Sequence, residues 1–153
     1  MFLRNLNLTN FRKFKELSVE FQHGLNVLVG ENDSGKTAII DAIRHLLNTK
    51  SFENVRLEPR DFHRPEGAQQ TDSLIIEAIF SGFEDAEAAS FIEWGYFDGN
   101  KAFELRVVLT AKLINGNRII RDIKAGPKNG ETALDGNAKE LLQVTYLKPL
   151  RDA

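Results

Sequence analysis

The sequence predicts a mixed α/β domain with α+β character, and three local patterns carry that prediction. Leu25-Asn26-Val27-Leu28-Val29 is a nearly continuous β-rich apolar run. Gly30 to Thr37 follows it immediately, and beyond that Ile39, Ile40, Ile43, Leu46 and Leu47 fall at helical spacing. Elsewhere apolar and polar residues alternate with period two, the pattern of strands with one buried face. Strand, glycine loop and helix in that order point to the α/β class, while the alternating strands point to an antiparallel sheet beside it.

The elements follow in chain order. Phe2 to Phe11 is strand-like, and Arg12-Lys13-Phe14-Lys15 makes a basic turn. Leu17, Val19 and Phe21 alternate with Ser18, Glu20 and Gln22, which predicts a second strand. Gly24 turns the chain into the run at 25–29, expected as a strand buried on both faces. The helix after the loop carries Asp41, Arg44 and His45 on its polar side. Residues 48–72 hold charges, Pro59, Pro65 and Gly67 without periodicity, and predict an exposed, irregular connection. Leu74 to Phe80 is a strand; Glu84 to Trp94 is a short helix with acids in its first turn and Gly95 at its stop. Phe103, Leu105, Val107 and Leu109 alternate with their neighbours, and Asn115-Gly116 leads into a second β-rich run ending at Ile123, a hairpin. Gly126 to Gly130 is a loop, Asn137 to Gln143 a short helix with Asn137 and Glu140 spaced as a capping pair, and Val144 to Leu147 a last strand.

Gly30-Glu31-Asn32-Asp33-Ser34-Gly35-Lys36-Thr37 matches the phosphate-binding pattern G-x-x-x-x-G-K-[ST] in full. Backbone N–H groups in such a loop wrap phosphate oxygens, and the dipole of the helix entered at Lys36, Thr37 and Ala38 adds positive potential. Lys36 is expected to reach the β- and γ-phosphates of ATP, and Thr37 to offer its hydroxyl to Mg²⁺. Glu31 and Asp33 do not disqualify the loop, because its amides point inward and leave these side chains to solvent.

With 153 residues, 42% of them hydrophobic, the chain is long enough to bury the core of one domain. Twenty basic residues against 22 acidic ones give a net charge of −2, so no global positive field draws it to nucleic acid or to an anionic membrane. The absence of cysteine removes disulfides, thiolate zinc sites and a thiol nucleophile, and suits a reducing compartment. There is no apolar run of about 18 residues and no signal-peptide core after Met1, so the expected setting is cytoplasmic, without a membrane.

Many nucleotide-binding classes use such a loop. A small GTPase usually carries Asn-Lys-x-Asp, which does not occur here. A stand-alone kinase or phosphotransferase needs an acid at the end of a strand near the loop; Leu74-Ile75-Ile76-Glu77 is the nearest candidate, but Ala78-Ile79-Phe80 continues past Glu77, as on the polar face of an antiparallel strand.

The opening strand ending Thr9-Asn10-Phe11-Arg12-Lys13-Phe14, the phrase from Gly24 to Thr37 and the following Ile40-Asp41-Ala42-Ile43 together resemble the amino terminus of ABC-type ATPases of the SMC and RecF kind. Glu31-Asn32-Asp33-Ser34-Gly35-Lys36-Thr37 and the closing Tyr146-Leu147-Lys148-Pro149-Leu150-Arg151-Asp152-Ala153 are similar to the overcoming-lysogenization-defect (OLD) family of ATP-dependent endonucleases. The resemblance implies lobe I of a P-loop ABC-type ATPase head, with core segments 1–50 and 137–153 and an antiparallel β-subdomain over about 51–136. It implies a parent that binds ATP and Mg²⁺, dimerises its heads around ATP, acts on DNA and carries a second lobe and a Toprim nuclease domain. The second lobe and the Toprim domain are expected to lie outside these 153 residues, and with them the Walker B strand, the signature motif and the nuclease carboxylates. The catalytic residues are therefore unassigned. Hydrolysis by the chain alone is expected to be slow, since a phosphate loop supplies only part of the charge neutralisation and no positioned water.

In the resembled ATPases the Asn-Phe-Arg turn lies beside the nucleotide, which makes Arg12 a candidate phosphate contact; a solvated basic turn is the alternative. Gln69, Gln70 and Gln143 are possible by type for the glutamine that meets Mg²⁺ in such heads, and more ordinary as surface amides. His23, His45 and His63 show no metal spacing and read as exposed or capping residues. Asp61-Phe62-His63 stands out in the connection with no mechanism attached. Trp94 and the eleven phenylalanines read as core. A non-catalytic interaction module that keeps the fold is a third reading.

Overall fold

The computed structural model describes residues 1–31, 35–47 and 55–144. Its strands are β1 (Phe2–Phe11), β2 (Phe14–Glu20), β3 (Ser73–Ser81), β4 (Tyr96–Phe97), β5 (Phe103–Ile114) and β6 (Arg118–Ala125). Its helices are α1 (Lys36–Leu46), α2 (Asp85–Ser90) and α3 (Gly136–Leu141), with one turn of 3-10 helix at Pro59–Asp61.

All the described strands join one antiparallel sheet in the order β2-β1-β3-β5, with β6 and the two-residue β4 both pairing to β5. Alternation sets its faces. Leu6 and Leu8 of β1, Leu74, Ile76, Ala78 and Phe80 of β3, and Leu105, Val107, Leu109 and Ala111 of β5 are all buried. Helix α1 covers that face, packing against β3 and β5 and burying Ala38, Ala42 and Leu46, while Phe62 and Phe91 close the periphery. Trp94 is core as well, its indole N–H donating to the Ala133 carbonyl at 3.0 Å.

A polar ladder crosses the other face. The Ser18 hydroxyl donates to Asn7 at 2.6 Å, the Asn7 amide to Glu77 at 2.7 Å, and Arg106 donates to Glu77 at 2.6 Å and to Glu131 at 2.7 Å. Neighbouring strands in register place these residues side by side, since Asn7 pairs with both Ser18 and Glu77. Burial opposes the charge on Glu77, but its bonds from Arg106 and Asn7 overcome this and hold the carboxyl below its ordinary range. Glu77 is thus a mid-strand member of a structural network, as its position in the sequence suggested.

The β5–β6 hairpin turns at Asn115 and Gly116, both at positive φ (54° and 73°), the geometry that an Asn-Gly turn supplies at low cost. The two short helices are trimmed relative to the sequence pattern. Helix α2 stops at Ser90, and α3 is capped by Asp135, whose carboxylate accepts from the Ala138 N–H at 2.8 Å, rather than by Asn137. Of the expected last strand only Val144 lies among the described residues.

The expected buried strand at 25–29 is a correction. These residues form no strand, and Leu25, Val27 and Val29 are 91%, 72% and 88% exposed. A strand buried on both faces needs neighbours on its edges and a layer on each face. Every described pairing in this sheet is antiparallel, and none reaches 25–29. The segment is instead shaped by its first residues, where the Asn26 side chain bonds the Gln22 N–H and the Gln22 and Gly24 carbonyls.

Candidate nucleotide-binding site

Gly35 begins the site. It caps α1 at φ 98°, a left-handed conformation that suits glycine alone, and a Cβ there would lie 2.2 Å from the Phe14 ring. Phe14 thus sets the turn between β1 and β2 against the helix start, with Lys13 alongside. Among the described residues no side chain caps α1, and no acid stands in its first turn. The helix offers open backbone donors and the positive end of its dipole, the arrangement a phosphate needs.

Around that start, the Lys36 ammonium donates to the Gly30 carbonyl, folding its side chain back over the loop. Thr37 is exposed in the first turn, whereas Ala38 faces the core. Gly30 and Glu31 are exposed, consistent with Glu31 pointing away from an anion. Asn32, Asp33 and Ser34 lie outside the described residues. The residues present fit a Mg-nucleotide: uncapped amides and Lys36 for phosphate, and the Thr37 hydroxyl for the ion. Among the described residues no cluster of histidines and carboxylates offers an alternative metal site.

Arg12 is neither a solvated turn residue nor a free cation. Its Nε donates to Asp61 at 3.1 Å and its Nη1 to Asp41 at 2.8 Å, while the guanidinium lies 5.0 Å from the centre of the Phe11 ring. Asp41 also receives Arg44 at 3.4 Å. Burial works against the Arg12 charge, and the two carboxylates outweigh it, holding its pKa above the ordinary value. The sequence carries no signal for these pairs beyond an acid on the polar side of α1, because Asp61 is 49 residues from Arg12.

The histidines divide. His63 is tied through Nδ1 to the Arg12 carbonyl at 2.8 Å, and His23 meets the Phe2 ring edge-on at 5.5 Å. His45, expected on the polar side of α1, is instead buried against Phe11, with no hydrogen-bond partner on either ring nitrogen. Burial, opposed by the nearby Asp61 charge, pushes its pKa down to about 4. The ring is therefore neutral at physiological pH. Of the three glutamines, Gln70 donates to the Pro59 and Phe62 carbonyls at 2.6 and 3.1 Å and so braces the connection.

Residues 1–146 match the family model described as AAA ATPase domain. Among curated proteins, the chain is 37% identical over 89 residues to the DNA replication and repair protein RecF of Halalkalibacterium halodurans, a match covering 54% of this chain and 24% of that protein. It is 49% identical over 51 residues to RecF of Pediococcus pentosaceus, covering 33% of this chain and 14% of that one. The chain thus spans about a quarter or less of the length of the curated relatives it matches. Among solved structures, it superposes on a chain from work on the ATP-driven dimerization and DNA-stimulated activation of SMC ATPases. That match has a TM-score of 0.51 and 19% identity, over 80% of this chain and 69% of that one, a likeness of fold.

Proposed function

The chain belongs to the AAA ATPase domain family, and on that premise we propose that it is the ATP-binding amino-terminal lobe of an ABC-type ATPase of the RecF and SMC kind. One observation carries the reading: α1 starts at a left-handed Gly35, with no side-chain cap among the described residues and no acid in its first turn, while Lys36 reaches back to the Gly30 carbonyl and Thr37 is exposed in that turn. In this reading the amides of residues 30–37 hold the phosphates, Lys36 neutralises the β- and γ-oxygens, and Thr37 holds Mg²⁺. The ion that the Thr37 hydroxyl would hold would supply positive charge to offset that of the phosphates.

The finer proposal is a role in DNA repair or phage defence, with an OLD-family ATP-dependent endonuclease as the parent. Similarity to RecF supports the DNA-repair side, and the Glu31–Thr37 and 146–153 segments support the OLD assignment. The parent would dimerise its heads around ATP and reach DNA through its other parts, with core segments 1–50 and 137–153 and a β-subdomain between them. A stand-alone phosphotransferase loses its nearest acidic candidate, because Glu77 is committed to Arg106 and Asn7 on the face of the sheet opposite α1.

Calorimetric titration with Mg·ATP tests the reading. The parent sequence should bind, and Lys36→Ala should weaken binding by about a hundredfold, the loss of one charge-assisted phosphate contact of about 3 kcal/mol. Equal affinity of the two proteins would overturn it.

A further inference from the structure

The peptide turn at Arg12 is held more firmly than a surface hairpin requires. Asn10 and Arg12 both sit at positive φ, 54° and 53°, flanking the fully buried Phe11. Most residues other than glycine are strained in that conformation, and strain of this kind persists where surrounding structure imposes it. Here the surrounding structure is Asp61-Phe62-His63. The Arg12 N–H donates to the Asp61 carbonyl at 2.7 Å, and the His63 N–H donates to the Asn10 carbonyl at 3.0 Å. The His63 ring, protonated at Nδ1, donates to the Arg12 carbonyl at 2.8 Å, and Phe62 bridges to Phe11.

The bracing segment is itself braced. Asp61 Oδ2 accepts from the Glu58 N–H at 2.8 Å, leaving Oδ1 for Arg12 Nε. The His63 carbonyl accepts from both the N–H and the hydroxyl of Thr71, each at 2.8 Å. Arg12 is thus fixed at its backbone by the connection and at its guanidinium by carboxylates from two elements, Asp61 and Asp41. Of its three guanidinium nitrogens, Nε and Nη1 are taken, and Nη2 has no bond among the described residues. The turn bearing it abuts Gly35, where α1 begins.

We propose that Asp61, with Asp41, is a positioning residue for the nucleotide: it holds Arg12 beside the first turns of α1 so that Nη2 meets a phosphate oxygen of bound Mg·ATP. This rests on the nucleotide-binding reading and adds the assignment of Asp61-Phe62-His63 to the same site. Asp41, Asp61, Arg12 and Arg44 sum to zero charge, so the cluster adds no long-range attraction. Its contribution is the placement of one donor, which removes the entropy a free arginine would lose on binding.

A double-mutant cycle in Mg·ATP affinity tests this. Asp61→Asn and Arg12→Ala should each weaken binding about tenfold, and the double variant should bind no more weakly than Arg12→Ala, because Asp61 acts through Arg12. Asp41→Asn, on a different element, should give the same non-additive cycle, and it serves where Asp61→Asn melts too early to titrate. Additive losses, with Asp61→Asn costing as much in the Arg12→Ala background as in the parent, would reduce Asp61 to a structural brace and overturn the proposal. So would parental affinity in both single variants while Lys36→Ala loses binding. Parental affinity in Lys36→Ala would instead remove the nucleotide site itself, and the positioning role with it.

Discussion

At the scale of single residues, Gly35 and His45 make opposite demands. Gly35 must lack a Cβ, both for its φ of 98° and for its contact with Phe14. Gly35→Ala should therefore destabilise the protein by about 2 kcal/mol or more and abolish Mg·ATP binding, measurable by denaturant titration and calorimetry. His45 imposes a pH dependence. Its folded pKa of about 4 lies below an unfolded value of about 6.5, so the unfolded chain binds the extra proton between those limits. Its stabilisation is fully present above pH 6.5 and is lost as pH falls toward 4, by about 3 kcal/mol across that window. His45→Leu should flatten this part of the stability curve relative to the parent, and an unchanged slope would show that the ring titrates normally. The phosphate-binding pattern could be read in the sequence because it is local, eight consecutive residues, and the helix expected behind it is present as α1. His45 was not, since its burial comes from Phe11, 34 positions away in the chain.

At the scale of elements, alternation made β1, β2, β3 and the β5–β6 hairpin readable, because a strand with one buried face writes its orientation into every second residue. The run at 25–29 misled for the complementary reason: apolar content states that a segment needs cover, not that cover is present. Which strands stand beside which was also beyond the sequence, and with it the ladder from Ser18 to Glu131. The ladder should matter to stability. Arg106→Ala leaves Glu77 half-buried without its main partner and should cost about 2 to 3 kcal/mol in urea denaturation. Arg60→Ala, breaking a pair whose side chains are 82% and 54% exposed, is the matched control and should change little. Comparable losses in the two variants would mean the ladder adds nothing beyond surface charge.

At the scale of the whole molecule, the fold joins a sheet built by antiparallel pairing to one helix, α1, that begins within the Gly30–Thr37 motif. If the loop binds nucleotide, saturating Mg·ATP must raise the melting temperature by mass action, with about 2.7 kcal/mol of added stability at a hundredfold excess over the dissociation constant. Lys36→Ala, bound about a hundredfold more weakly, should keep only about 0.4 kcal/mol of this at the same concentration, and the parent given Mg²⁺ alone should show no rise. A rise that persists undiminished in Lys36→Ala would place the binding elsewhere. The contact between Phe14 and Gly35 bears on how such binding is felt. Phe14 opens β2, β2 is hydrogen-bonded along β1, and β1 is flanked on its other edge by β3. The aromatic ring therefore ties the start of α1 to the edge of the sheet, and a shift of Gly35 on ligand binding would be felt at β2 and β1. Slowed amide exchange in β1 and β2 on adding Mg·ATP, lost in Phe14→Ala, is the signature that such a coupling leaves.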